Sequence, residues 1–406
     1  MEKDKFVDII GMGKLATIRQ SINKDAINGT TGVLKNDQNE LYTFKTIDEI
    51  IRSIPSYRLY NYSSMDGGSA FKEAIMSWVF KNYLDEFKKE FFYSVIPTPG
   101  SAAGLALTLK VKAKENEEVL VPNIYWSNYD GILNIYNTKK KTYNMFKDNH
   151  FDIESFIKNA EDILKDNERL IVLFNDPCHN PTGYSLDGSE WNQIIEYINS
   201  LKKRNKKVII LYDIAYIDYA FEKYFNSRDN LALLSKLDNH VLTTISFSGS
   251  KSFAVYGLRL GAQIVLSKDE EELKELKQSM MYVARATWSS PPTTGIQMMI
   301  TLMSDEKLRN KFLGELFEAR EMLAGRKKIF VDEAIKIELS MLPLKDGFFV
   351  TIPTNNPYLL REELLKEDIH VVPQTKSIRI AISNIPTRQI EGLATAILKA
   401  KNKINE

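Results

Sequence analysis

Six short apolar runs constrain this chain more than any other feature. They are YSVIP (93–97), EEVLVP (117–122), RLIVLFN (169–175), KVIILYD (207–213), VLTTISFS (241–248) and GAQIVLS (261–267). A strand with one face in water alternates apolar and polar residues, whereas a strand buried on both faces is apolar throughout. These runs are of the second kind. Between them lie helical stretches such as SEWNQIIEYINSLKKRN (189–205). Strand and helix in that rhythm predict an α/β fold, a mostly parallel sheet sandwiched by helices. From about residue 305 the chain changes character. One long helical region (305–335) is followed by GFFVTIP (347–353), HVVPQ (370–374) and SIRIAIS (377–383), interleaved with helices. The pattern predicts a large domain over 46–310 and a smaller α+β domain over 311–406, with residues 1–45 packed onto the smaller one.

Composition narrows the function classes. With 406 residues, two domains are favoured over one core. A net charge of +1 gives no electrostatic footprint for nucleic acid and no basic patch for a membrane surface. The single cysteine, Cys178, permits no intrachain disulfide and fits a reducing compartment. The four histidines lie far apart without ligand spacing, so no metal site is expected. No apolar run is long enough to span a bilayer, and the charged opening MEKDKFVDII lacks a signal core. The expectation is a cytoplasmic protein.

In open α/β sheets ligands bind at the carboxyl ends of the strands. Polar residues just past each run are therefore the candidates. After the first run, Gly100 and Ser101 open a helix, whose N–H groups and dipole suit phosphate; a plain turn and cap is the other reading. After the third run comes DPCHNPTG, good turn chemistry in itself, where Asn180 can also donate to a ligand oxygen. Asp213 ends the fourth run, and a carboxylate there needs a partner, either a structural cation or a ligand's cationic ring nitrogen. Tyr216 follows three residues on. The fifth run leads into SFSGSKSFAVYGLRLG (246–261), with Lys251 among small residues and with Ser248, Ser250 and Arg259 suited to a phosphate. Arg379 lies inside an apolar run and needs an anion, from the protein or from a ligand. An amine, a carboxylate for a pyridinium nitrogen, donors for a phenolic oxygen and a phosphate cup together describe pyridoxal 5'-phosphate.

The ordered set NPTG, YDIAY, SGSKSFAVYGLRLG and SIRIAIS resembles class I aminotransferases of the aspartate and aromatic kind, with the fold-type I pyridoxal-phosphate architecture. The similarity runs from about residue 30 to 385. The resemblance implies that Lys251 forms the Schiff base and that Asp213 pairs with the pyridine nitrogen. It places Asn180 and Tyr216 at the phenolic oxygen, and Gly100, Ser101, Ala102, Ser248, Ser250 and Arg259 around the phosphate. Trp126, in YWSNY, would cover one ring face. Tyr62, in YSSMDGG, would reach the phosphate of a partner subunit, so a homodimer with shared active sites is implied. Arg379 would bind the substrate α-carboxylate, with Gly32 near the substrate. Arg285, in RATWSSPPTTG, would bind a distal carboxylate from the partner subunit, although Trp288 and Ser290 depart from the tyrosine and asparagine common in aspartate aminotransferases. The implied activity is transfer of an amino group between an L-amino acid, aspartate or aromatic, and a 2-oxo acid such as 2-oxoglutarate. The alternatives are a lyase or decarboxylase on the same fold, and a non-catalytic cofactor binder.

Overall fold

The computed structural model describes residues 8–220 and 227–405. The chain forms two compact units. The larger comprises Thr43–Pro177 and Leu186–Glu315; the smaller comprises residues up to Tyr42, Cys178–Ser185 and the chain from Leu316. Residues 178–185, inside the span expected for the large domain, thus belong by their contacts to the smaller unit.

The larger unit is built on a seven-stranded sheet. Its strands are β1 (Phe92–Pro99), β2 (Glu118–Pro122), β3 (Lys139–Tyr143), β4 (Arg169–Asn175), β5 (Lys207–Asp213), β6 (Val241–Phe247) and β7 (Leu260–Ser267). Their spatial order is β1-β7-β6-β5-β4-β2-β3. All neighbours are parallel except β7, which runs antiparallel to both β1 and β6. Every residue of β6 and β7 is buried, including the polar Thr243, Thr244, Ser246, Gln263 and Ser267. The six apolar runs all form strands. The seventh, β3, has the sequence KKKTY and buries only Tyr143; an edge strand of this kind gives no apolar signal.

Several helices begin at a side-chain cap. Asp187 closes a capping box with Glu190 at the start of Gly188–Ser200, and Asp269 caps Glu270–Thr287. The helix Ser101–Lys112, here α1, is instead tied to the sheet by a buried polar chain. Gln263 on β7 accepts from Ser246 Oγ at 2.6 Å, and its amide nitrogen donates to Thr108 Oγ1 on α1 at 3.0 Å. A side chain at Gly104 would strike the Gln263 amide oxygen, so the helix lies close enough for this link only with glycine there.

In the smaller unit, β8 (Phe349–Pro353), β9 (Val372–Gln374) and β10 (Ser377–Ala381) form an antiparallel sheet in the order β8-β10-β9. HVVPQ is not one strand: Ile369–His370 pairs in parallel with Ile27–Asn28, and only Val372–Gln374 joins the sheet. The core gathers Phe330, Val350, Ile378, Ile380, Leu393 and Ile397. Gly183, at φ +74°, lies where a Cβ would meet the backbone of Asp346 and Phe349, and Thr351 Oγ1 donates to the Pro181 carbonyl at 2.7 Å. These contacts dock the NPTG turn on this sheet.

Gln263→Leu should lower stability by about 1–3 kcal/mol, because the buried Ser246 and Thr108 hydroxyls lose their shared partner. Urea unfolding checks this, and a change under about 0.5 kcal/mol would refute the structural weight given to the link.

Candidate active site

The parallel strands end level with one another. Asn175 pairs with Asp213, and Asp213 with Ser246, so the carboxyl ends of β4, β5 and β6 form one edge. Asp213 is 2% exposed. Its Oδ2 accepts from the Tyr129 hydroxyl at 2.8 Å and its Oδ1 from the Ala215 N–H at 3.1 Å. Burial pushes its carboxyl up to about 6; the two hydrogen bonds and the Lys251 charge pull the other way.

Lys251 sits in the short helical turn Gly249–Ser252 that follows β6. Its Nζ lies 5.5 Å from the centre of the Tyr216 ring and 4.9 Å from that of Tyr256. The Tyr219 hydroxyl donates to the Lys251 carbonyl at 3.1 Å, and the Ser248 carbonyl accepts from the N–H of Lys251 and of Ser252. The turn is therefore fixed from both ends while the half-buried amine faces aromatic surface.

A second cluster lies where β1 meets β7. Gly100 has φ +87° and precedes α1 without any side-chain cap. A Cβ on it would stand 2.2 Å from Arg259 Nη2, and one on Gly261 would strike the Gly100 backbone. Only glycine at both positions lets the guanidinium approach the start of the helix. Arg259, itself at φ +54°, donates to Ser250 Oγ at 3.2 Å and to the Tyr256 carbonyl at 3.0 Å. Ser101 is buried at the first helical position, and Ala102 packs against the core. Helix N–H groups beside an exposed guanidinium and a serine hydroxyl form a donor set suited to a phosphate dianion.

Trp126 is half-buried, its ring edge-on to that of Tyr129 at 5.4 Å. Tyr62 and Arg285 project to solvent instead; Tyr62 is 86% exposed, and Arg285 donates to the Ser289 carbonyl at 3.0 Å. In the smaller unit Arg379 is buried on β10. It donates to the Asn180 amide oxygen at 3.2 Å and to the Thr30 carbonyl at 2.5 Å, and lies 4.6 Å from the centre of the Phe349 ring. Both of those oxygen acceptors are neutral. Gly32 lies half-buried two residues after Thr30. Tyr129 is the residue that the sequence reading passes over. Its signal is its place three residues after Trp126, at the start of the helix Asn128–Ile135.

A lysine amine on aromatic surface, a buried carboxylate and a phosphate cradle on this sheet define a pyridoxal-phosphate enzyme, and the donor set present fits that cofactor. The comparisons carry this further. The sequence matches the aminotransferase class I and II family over residues 25–397. It is 25% identical to the aromatic-amino-acid aminotransferase of Pseudomonas aeruginosa over 62% of this chain and 60% of that protein. It is 24% identical to the mitochondrial aspartate aminotransferase of Gallus gallus over 75% of this chain and 71% of that protein. Among solved structures, an aminotransferase from Anaerococcus prevotii superposes with a TM-score of 0.92 at 26% identity, over 99% of this chain and 97% of that one. The aromatic-amino-acid aminotransferase of Burkholderia pseudomallei, covalently bound to pyridoxal phosphate, shares the fold with a TM-score of 0.79 at 19% identity, over 97% and 96% of the two chains. The chain belongs to the class I and II aminotransferase family and is a pyridoxal-phosphate-dependent aminotransferase. The lyase or decarboxylase alternative is not favoured.

The folded chain holds the Asp213 proton more tightly than the unfolded chain does, so without cofactor stability falls as pH rises from about 4 through about 6. The loss is on the order of 3 kcal/mol in total, about half of it between pH 5 and pH 8. Asp213→Asn removes this dependence. Urea denaturation of both apoproteins at the two pH values should show the variant gaining on the wild type by that amount, and a pH-independent difference would contradict the burial argument.

Proposed function

We propose that this enzyme transfers the amino group of L-aspartate or an aromatic L-amino acid to a 2-oxo acid, with 2-oxoglutarate as the common acceptor, in two half-reactions. The observation that carries this reading is the meeting, in the larger unit, of the Lys251 amine, the buried Asp213 and the cradle at Gly100 and Arg259. Pyridoxal phosphate, when bound, supplies a carbonyl that condenses with amines and a ring that accepts electrons from the substrate α-carbon.

The protein's own groups divide the remaining work. Arg259, the Ser250 and Ser248 hydroxyls and the first amides of α1, from Gly100 through Ser101 and Ala102, hold the phosphate. Asp213 keeps a proton on the ring nitrogen. The Lys251 amine takes the proton from the substrate α-carbon as a general base. Tyr216 and Asn180 donate to the phenolic oxygen, Trp126 covers a ring face, and Arg379 binds the α-carboxylate, with Gly32 leaving room for substrate. Arg285 takes the distal carboxylate of a dicarboxylic substrate. That role and a phosphate contact from Tyr62 both call for a homodimer, and the exposure of both side chains in the single chain supports it. A cytoplasmic location, with no nucleic-acid or membrane partner, agrees with the near-zero net charge. Among the described residues no helix is long and apolar enough to cross a membrane.

Each candidate amino acid, added to holoenzyme without an oxo acid, should release one equivalent of its 2-oxo acid per site and stop, and 2-oxoglutarate should restart turnover. Release of ammonia without that limit would point to a lyase. Lys251→Ala should slow the first turnover at least about a hundredfold. Near-normal rates in this variant would remove Lys251 from the proton transfer. Arg285→Ala should raise KM for aspartate and glutamate about ten- to a hundredfold and leave aromatic substrates unchanged. An equal effect on both classes would remove Arg285 from substrate selection.

A further inference from the structure

Tyr129 has no part in the chemistry above, yet it makes one of the most buried polar contacts in the larger unit. It is 1% exposed, and its hydroxyl lies 2.8 Å from Asp213 Oδ2. The charged and titratable groups around Asp213 come from three places: Tyr129 on the helix Asn128–Ile135, Tyr216 on the loop after β5, and Lys251 on the turn after β6. The Ala215 N–H completes the set.

We propose that Tyr129 is a positioning residue for Asp213: its hydroxyl fixes the rotation of the carboxylate and stabilises its charged form, so that the remaining lone pairs are aimed and ready for the cofactor's ring nitrogen. This rests on the aminotransferase reading of the site. Each carboxylate oxygen accepts one donor from the protein, Oδ2 from Tyr129 and Oδ1 from Ala215. A carboxylate with a single anchored oxygen can swing about its Cβ–Cγ bond, whereas two anchored oxygens define its plane. Burial and the neighbouring carboxylate hold the Tyr129 phenol well above its usual range, so it stays protonated and acts as a donor throughout the working pH range. The contact also couples two parts of the site. Trp126 lies on the same segment with its ring edge-on to Tyr129, so the backbone that supplies the ring-covering indole also supplies the donor to the carboxylate.

The test compares pyridoxal phosphate with its carbocyclic analogue, in which C–H replaces the ring nitrogen. Equilibrium binding of each to the apoprotein is read by quenching of tryptophan fluorescence. In the wild type, pyridoxal phosphate should bind more tightly than the analogue. Tyr129→Phe keeps the buried ring and removes only the hydroxyl; it should weaken pyridoxal phosphate about tenfold and leave the analogue unchanged. Tyr129→Met gives the same comparison should the phenylalanine variant not fold. Equal losses for both compounds would mean that Tyr129 merely packs, and no loss for either would mean that Asp213 needs no help; each overturns the proposal. A wild-type chain that binds the two compounds alike would instead sink the assignment of Asp213 to the ring nitrogen, a separate failure from that of Tyr129.

Discussion

A carboxylate cut off from water at the end of the middle strand is the constraint on which much of the larger unit depends. Strands buried on both faces bring Asp213 into an apolar sheet, where an isolated charge is strongly disfavoured. The fold answers with specific donors: a phenol from the helix after β2, a backbone amide two residues on, and the field of an ammonium from the turn after β6. Each comes from a different segment, so the position of one side chain ties together the loops that follow three strands. A carboxyl with its proton affinity raised toward neutrality is a poor structural ion and a good partner for a cationic ring nitrogen.

The anion cradle follows a different logic. Its selectivity comes from backbone and absence of side chains: Gly100 and Gly261 are required because their neighbours are a guanidinium and another backbone. The antiparallel strand β7 makes this possible. It runs back beside β1, so Arg259 at its start meets Gly100 at the end of β1. The Ser246–Gln263–Thr108 chain then ties α1 to β7 and, through it, to β6, which keeps the helix N-terminus in place.

Much of this was legible in the sequence. Predominantly apolar runs identified six strands of the large sheet, and turn residues after them identified most of the cradle. The direction of β7 was not legible, since a doubly buried strand looks the same in either orientation. Edge strand β3 escaped because its lysines face water along most of its length. The excursion of residues 178–185 to the smaller unit depends on a glycine fitting against a backbone more than 150 residues away, a contact that no local pattern announces. Tyr129 was missed for a related reason. A tyrosine at the start of an amphipathic helix reads as core, and only the tertiary fold brings its hydroxyl to a carboxylate.

The smaller unit is assembled from both ends of the sequence. Ile27–Asn28 pairs with Ile369–His370, and Arg326 is buried against Asp37. During synthesis the larger unit can therefore complete its sheet once residue 267 has left the ribosome, while Ile27–Asn28 and Asp37 wait for partners at residues 369–370 and 326. The helix Ile9–Ile22, with Ile10, Leu15, Ile18 and Ile22 largely exposed even in the finished fold, lies just before them in the chain. Vectorial synthesis thus leaves Ile27–Asn28 unpaired until residues 369–370 emerge, an interval in which apolar surface and unpaired strand edges of a nascent chain are open to aggregation.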